Sequence, residues 1–560
     1  MLGGRVMSGE DRSVSVVPLR VSYQDDPEVV RSAATEDYAL HVAPKTWRSG
    51  RISLLMAWYA FASAMFWLIV GATVALAVGT RDTLIGLGLS VVAYSIFGTL
   101  VSRHAARTGI SSALFSRALF GYLGAAVAPL IVGATALYYA VFEGSVVAEV
   151  FHQYTGWGNI QVWYLIVAAY SIPIVIGGVR KWLDKFNGIL LPFYYVGLAV
   201  VIIWTIAANG YSNDWLTAGP ANPELSLYAP GWVFAFSVYM GVWIMTPFTW
   251  DYARLARTAD AKFHKWFTFG PLFYFLTLGV NAVVGIFLAH SLTDGSTLSE
   301  LSAVQAIVGL TGIFGVALVW VSQTRINTAN YYLASINAES FFARVFRVHL
   351  PRRVWVILVG VIAFALMLTN AISYLLKALQ WQGVVVVAWV AIAMVYLWFA
   401  RRDRRRSEEF EFRPGRVPAF NVVGLGAWLI ASVTGIVLVE AGGSFGATWA
   451  PPFAFIIAGS LYALGRYLTG ERHVQLARPH DPRFEVEDPW EARVECASCE
   501  RSYIAQEMDR NPATPDHAPI CGECGSNDTA YLRASYAEAR QTSDGAEAVS
   551  TTPKAAEPQA

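Results

Sequence analysis

The chain has 560 residues, of which 55% are hydrophobic and only 14% charged. A soluble domain carries about a quarter charged residues, so an ordinary water-soluble protein is excluded. The formal net charge of +1 says nothing about nucleic acid, because the charges are segregated along the chain, and no nucleic-acid partner is expected.

The first 47 residues are polar and of mixed charge, and read as a cytoplasmic N-terminal segment without a secretory signal. Apolar runs of about 20 residues follow, the length that crosses a bilayer core as a helix. Twelve spans are predicted within residues 48–470: 52–79, 83–102, 123–151, 161–178, 186–208, 230–251, 266–289, 304–336, 354–370, 379–399, 421–440 and 449–468. Backbone that meets hydrocarbon has to satisfy its own polar groups, so each span is expected to be helical. The fold class is therefore an all-α polytopic membrane protein.

The loops alternate in charge. One side holds Arg103, Arg107 and Arg117, then Arg180, Lys181 and Lys185, then Arg254, Arg257, Lys262 and Lys265. The same side holds Arg344, Arg347, Arg352 and Arg353, and the run RRDRRR at 401–406, whereas loops 209–229 and 290–303 hold no Lys or Arg. Basic loops stay inside, which predicts a plasma-membrane protein with both termini cytoplasmic.

Polar residues inside the spans mark candidate function. Span three contains YYAVFEG, residues 138–144, with Glu143 deeper than Glu149 and Tyr139 on the Glu143 face at i−4. Glu143 is either a functional carboxylate or one paired structurally with a base. In span six, Asp251 and Arg254 stand three apart and are expected to form an ion pair that orders the helix end. Span eight carries SQTRINTANYYLASIN, residues 322–337, in which Asn327, Asn330 and Asn337 fall near one face. Amides offer donors and acceptors together, suiting either a heterocycle with alternating N–H and C=O groups or hydrogen bonds between helices.

Beyond span twelve, residues 471–540 form a polar tail that contains every cysteine: Cys496, Cys499, Cys521 and Cys524, as C-x2-C, 21 residues, C-x2-C. Four thiolates on two tight turns suit Zn²⁺ in a small zinc-ribbon-like module; a rubredoxin-type iron site, two disulfides and unliganded thiols are the alternatives. A cytoplasmic setting disfavours disulfides. A closed four-thiolate site leaves no open position for catalysis, so the module is expected to be structural and to dock a cytoplasmic protein partner or regulate. Residues 541–560 are expected to be disordered.

Several stretches together resemble the nucleobase:cation symporter-1 family of purine–cytosine permeases, over about residues 36–468. They are EDYALHVAPKTWR before span one, RTGISSALFSRALFGYLGAAVAPL (107–130), GVWIMTPFTWDYARLAR (241–257), the asparagine-rich stretch of span eight, and RPGRVPAFN (413–421). The resemblance implies a LeuT-like fold of two inverted five-helix repeats plus two peripheral helices. Substrate would sit between broken helices one and six and helices three and eight, an arrangement that supplies free carbonyls and dipole ends. Gly241 and Pro247 are candidates for the break in span six; span one offers only ASA at 62–64. Tyr139 and Glu143 resemble the family's stacking aromatic and its hydrogen-bonding partner, where Trp and Gln are usual. Trp243 resembles the second stacking aromatic, with packing as the alternative, and Asn330 and Asn327 resemble the substrate-side asparagines. Arg325 and Ile326 occupy the positions where sodium-coupled relatives place adjacent hydroxyls that coordinate Na⁺, leaving Thr324 and Thr328 as the nearest hydroxyls. Either its guanidinium fills the cation site, making transport Na⁺-independent and proton-coupled through Glu143, or it snorkels to the membrane edge or pairs with a carboxylate.

The expected function is alternating-access transport of a small planar heterocycle: a purine, cytosine, uracil, hydantoin or allantoin relative. The coupling ion, H⁺ or Na⁺, is left open. A transporter-like sensor signalling through the zinc module, and an amino-acid or organic-amine transporter of the same fold, are the other readings. No hydrolase constellation or nucleotide-binding loop is present, so an enzyme is not expected.

Overall fold

The computed structural model describes residues 16–35, 38, 40–176, 184–221, 228–292, 300–369, 375–402, 410–470 and 474–551. It divides into two compact units, one of Ala33–Phe410 with Ala419–His473, the other of Met1–Ser32, Glu411–Pro418 and Val474–Ala560.

In the larger unit each predicted span falls on helix. Among the described residues seven helices are long and apolar enough to cross a membrane, two further spans are bent pairs, and Ile160–Ile176 is a shorter apolar helix. Span eight is a break at Gly312 followed by Ile313–Val345, and span nine is Arg352–Met367. The bent pairs are spans one and six, each turning through 41°: Arg51–Ser63 with Phe66–Val78, and Gly231–Met240 with Met245–Ala253. In span six the turn starts at Gly241, where span ten comes so close that a Cβ on Gly383 would lie 2.8 Å from the Gly241 Cα. Span three lies along span eight, and the second half of span one along span seven. The latter approach depends on Gly285, whose added Cβ would sit 1.9 Å from the Leu68 carbonyl oxygen.

The smaller unit is made from three separated pieces of chain. Strand β1 (Val21–Ser22) pairs antiparallel with β2 (Arg493–Glu495), which pairs with β3 (Ser502–Ile504). A second ribbon joins β4 (Met508–Arg510) to β5 (Pro519–Cys521). The piece between spans ten and eleven threads a buried ionic network: Arg413 reaches Glu411 and Asp481, both at 2.7 Å. Arg416 and Arg478 share Asp509 at 2.8 and 2.6 Å, and Arg483 closes on Glu411 and Asp481 at 2.9 Å. Burial alone would raise these carboxyls, but the surrounding guanidinium groups outweigh it, lowering Glu411 and holding Asp481 and Asp509 well below the usual carboxylate range. The last helix, Thr529–Thr551, extends into the interval expected to be disordered; residues 552–560 lie outside the described residues.

Candidate functional site

The break in span one, residues 59–65, contains neither Gly nor Pro. Its backbone groups, freed from the helix, are met by side chains from elsewhere, as buried backbone requires. Arg325 Nη2 donates to the Tyr59 carbonyl at 3.1 Å, Trp67 Nε1 to Phe61 at 2.8 Å, and Asn281 Nδ2 to Ala62 at 2.8 Å. Ser322 donates its hydroxyl to the Ser63 carbonyl, and the Met65 amide donates to Gln323 Oε1 at 3.2 Å. Three of the first four residues of SQTR in span eight are therefore clasps on the unwound segment. Gln323 also donates its Nε2 to Glu143 Oε2, so spans one, three and eight meet at one amide.

A small cavity opens beside this junction. Glu143, Tyr139 and Asn330 line it, with the aromatic rings of Phe61, Phe66, Trp67 and Phe248. Tyr139 and Phe66 have ring centroids 6.1 Å apart, and Phe61 and Phe248 5.7 Å, so the aromatic surface comes in two pairs. The Tyr139 hydroxyl accepts from Gln382 at 3.1 Å. Asn330 is 1% exposed, and neither its Oδ1 nor its Nδ2 has a hydrogen-bond partner among the described residues. A buried amide left so is unusual in a folded protein and suits a ligand offering one donor and one acceptor. A second cavity lies among Met65, Leu68, Ala289 and Ile307, but its lining is apolar apart from backbone and offers no recognition chemistry.

Other predicted residues lie outside this cavity. Trp243 is buried with its ring edge-on to Tyr94, Phe97, Phe236 and Phe455, so its surroundings are those of a packing residue. Asn327 is buried near Gly144 with its Oδ1 unpartnered. The Thr324 hydroxyl pairs with that of Tyr170 at 2.8 Å; the Thr328 hydroxyl donates to the Arg325 carbonyl at 2.7 Å and accepts from Asn187 at 3.2 Å. Arg325 is fully buried, and its Nε and Nη1 have no partner among the described residues. Phe61, Phe66, Trp67 and Phe248 were not singled out by sequence; four aromatics flanking two helix breaks are a signal visible only once the breaks are known.

The expected Asp251–Arg254 ion pair does not form. Asp251 accepts from the Ser112 amide and hydroxyl at 2.8 and 2.9 Å and from Asn337 Nδ2 at 3.3 Å, while Arg254 donates to the Tyr38 carbonyl at 2.9 Å. Asn337 thus belongs to a tie between spans six and eight and the short helix Ser112–Phe120, not to the cavity.

In the smaller unit the four cysteine sulfurs lie within 4.8 Å of one another, and no disulfide joins them. The Cys521 amide points at Cys496 Sγ (3.3 Å) and the Cys524 amide at Cys521 Sγ (3.4 Å), the stabilisation that clustered thiolates need. Tetrahedral sulfurs about 2.3 Å from a metal stand about 3.8 Å apart, so the set fits one tetrahedral ion.

A family model for permeases of cytosine/purines, uracil, thiamine and allantoin matches residues 44–464. The chain belongs to this family. Among solved structures, this permease resembles Mhp1, a nucleobase-cation-symport-1 family transporter, closed with bromovinylhydantoin bound: TM-score 0.60 at 16% identity, covering 77% of this chain and 96% of that one. Inward-facing Mhp1 gives 0.59 at 14%, covering 77% and 94%. A Na⁺-coupled sialic acid symporter, outward-open with substrate, gives 0.51 at 11%, covering 79% and 95%. The permease therefore has the LeuT-like fold, with spans one and six as the broken helices. No curated protein sequence matches it significantly.

Proposed function

We propose that this permease moves a planar, nitrogen-rich heterocycle across the plasma membrane by alternating access, and that Arg325 stands in place of a coupling cation. The observation that carries the second part is the guanidinium itself. It is fully buried, donates to a carbonyl of the unwound span one, and keeps two further nitrogens unpartnered among the described residues. Carbonyls of broken helices are where transporters of this kind hold a coupling cation, and a fixed positive charge there makes a mobile one redundant. Transport is then Na⁺-independent, driven by the substrate gradient or by a proton on Glu143. Tyr139, Glu143 and Asn330 face the substrate; Thr324 and Thr328 brace span eight, and Asn327 and Trp243 pack around it. Both termini face the cytoplasm, a reading that the basic loops support, and there the four cysteines hold structural Zn²⁺ in a module that docks a protein partner.

Uptake into vesicles reconstituted with the purified protein, in Na⁺ and in choline, tests this. Equal rates are expected; strict Na⁺ dependence overturns the role given to Arg325. Saturable binding with no flux favours the sensor over the permease, and uptake confined to non-aromatic amines favours an amine transporter.

A further inference from the structure

The lining of the cavity carries a carboxylate and no basic side chain, and we infer that its preferred substrate is a planar cation: a heteroaromatic amidinium or aminopyridinium type that presents N–H donors along one edge. This rests on the permease reading and names the chemical class of its substrate. Among the residues lining the cavity Glu143 is the one charged group, 3% exposed, and none is Lys, Arg or His. Arg325 lies outside the lining, with Nη2 on the Tyr59 carbonyl.

Five rings, those of Phe61, Phe66, Trp67, Tyr139 and Phe248, line the remaining space. Aromatic faces carry negative potential, and a delocalised cation over them is favoured most where water is excluded. A carboxylate accepts hydrogen bonds and donates none when ionised; a neutral lactam edge, which alternates N–H with C=O, sets one of its oxygens against that charge. An amidinium-type edge offers donors only, and Asn330, with both amide atoms unpartnered, supplies the mixed contact on the substrate's other side. The Trp67 N–H is taken by the Phe61 carbonyl at 2.8 Å, so that ring contributes a face and no donor.

The full-length protein is tested by ligand-dependent thermal shift and by competition for uptake. The cationic probes are 4-aminopyridine and benzamidine, the neutral ones uracil, hydantoin and hypoxanthine, each titrated against wild type and Glu143→Gln. Wild type is expected to bind a cationic probe at least tenfold more tightly than any neutral one, and Glu143→Gln to reverse that order. Tighter binding of a neutral probe to wild type, or an unchanged cation preference in Glu143→Gln, overturns the inference while leaving a heterocycle permease standing. No binding of either class overturns both. If Glu143→Gln does not fold, the wild-type ratio alone decides.

Discussion

Replacing Asn330 with leucine is expected to make the protein more stable and unable to bind its substrate. Both polar atoms of this amide are buried without partners among the described residues. Burying an amide unpaired costs about 1–3 kcal/mol on mutational evidence, and leucine removes that cost while its side chain projects toward the cavity that Asn330 lines. The gain is therefore about 1–3 kcal/mol. One kcal/mol moves the melting point of a 150–250-residue domain by about 2–4 °C, and a longer chain by less, so a rise of a few degrees is expected in detergent. The assay is thermal unfolding with and without saturating substrate: the ligand-induced shift of wild type, which reflects RT ln(1 + [L]/Kd), vanishes in the variant. A lowered melting point with the ligand shift intact would refute the reasoning, because it would mean that Asn330 is held by the protein and not kept for a ligand.

The remaining predictions concern the smaller unit, where every cysteine of the chain lies, so thiol labelling reports on that unit alone. Arg413→Met strips a buried guanidinium from Glu411 and Asp481 and is expected to cost about 3–5 kcal/mol, read as labelling at lower temperature. The exposed pair Arg20–Glu495, 3.0 Å apart with Arg20 82% exposed, serves as the contrast: Arg20→Ala is expected to change little, within about 1 kcal/mol. Chelation is expected to expose all four thiols without heating, with protection restored by Zn²⁺; thiols that stay protected after exhaustive chelation would show that no metal holds them. Acid destabilises the unit with a defined sign. Glu411, Asp481 and Asp509 have depressed values in the fold, so the unfolded chain binds more protons as pH falls. Their contribution is complete above the unfolded values of about 4 and drains away below them, which calorimetry of the full chain at pH 6 and pH 3.5 would show.

The helical architecture was legible because lipid imposes a length and a composition on every crossing, and the apolar runs display both. The break in span six was legible through Gly241. The break in span one was not, since Tyr59–Met65 holds no residue that disfavours helix; it is stabilised by Ser322, Gln323, Arg325 and Asn281, all distant in sequence. The same distance hid the roles within span eight. Helical spacing put Asn327, Asn330 and Asn337 on one face, but which of them meets the cavity beside the span-one break depends on what packs opposite, and Asn330 is the one of the three in its lining. Asp251 and Arg254 have ideal spacing for a pair, yet Ser112 brings an amide and a hydroxyl together and offers the carboxylate two hydrogen bonds at once. The cysteine spacing predicted the cluster, whereas the buried arginine network joining Glu411–Pro418 to it had no sequence signature.

The three-piece construction of the smaller unit bears on how the protein is made. Val21 lies against Val494, and Arg493 is bonded to Asp25 at 2.6 Å. Pieces that share one folded body lie on one face of any membrane, so the chain crosses an even number of times between Ser32 and Glu411, and again between Pro418 and Val474. During synthesis β1 emerges first and waits for a partner strand that follows the last span. A chain with one span wrongly inserted would strand β1 or the Glu411–Pro418 piece on the far face, leaving buried arginines without their carboxylates. Closure of this unit thus amounts to a parity check on membrane insertion, made by the protein on itself.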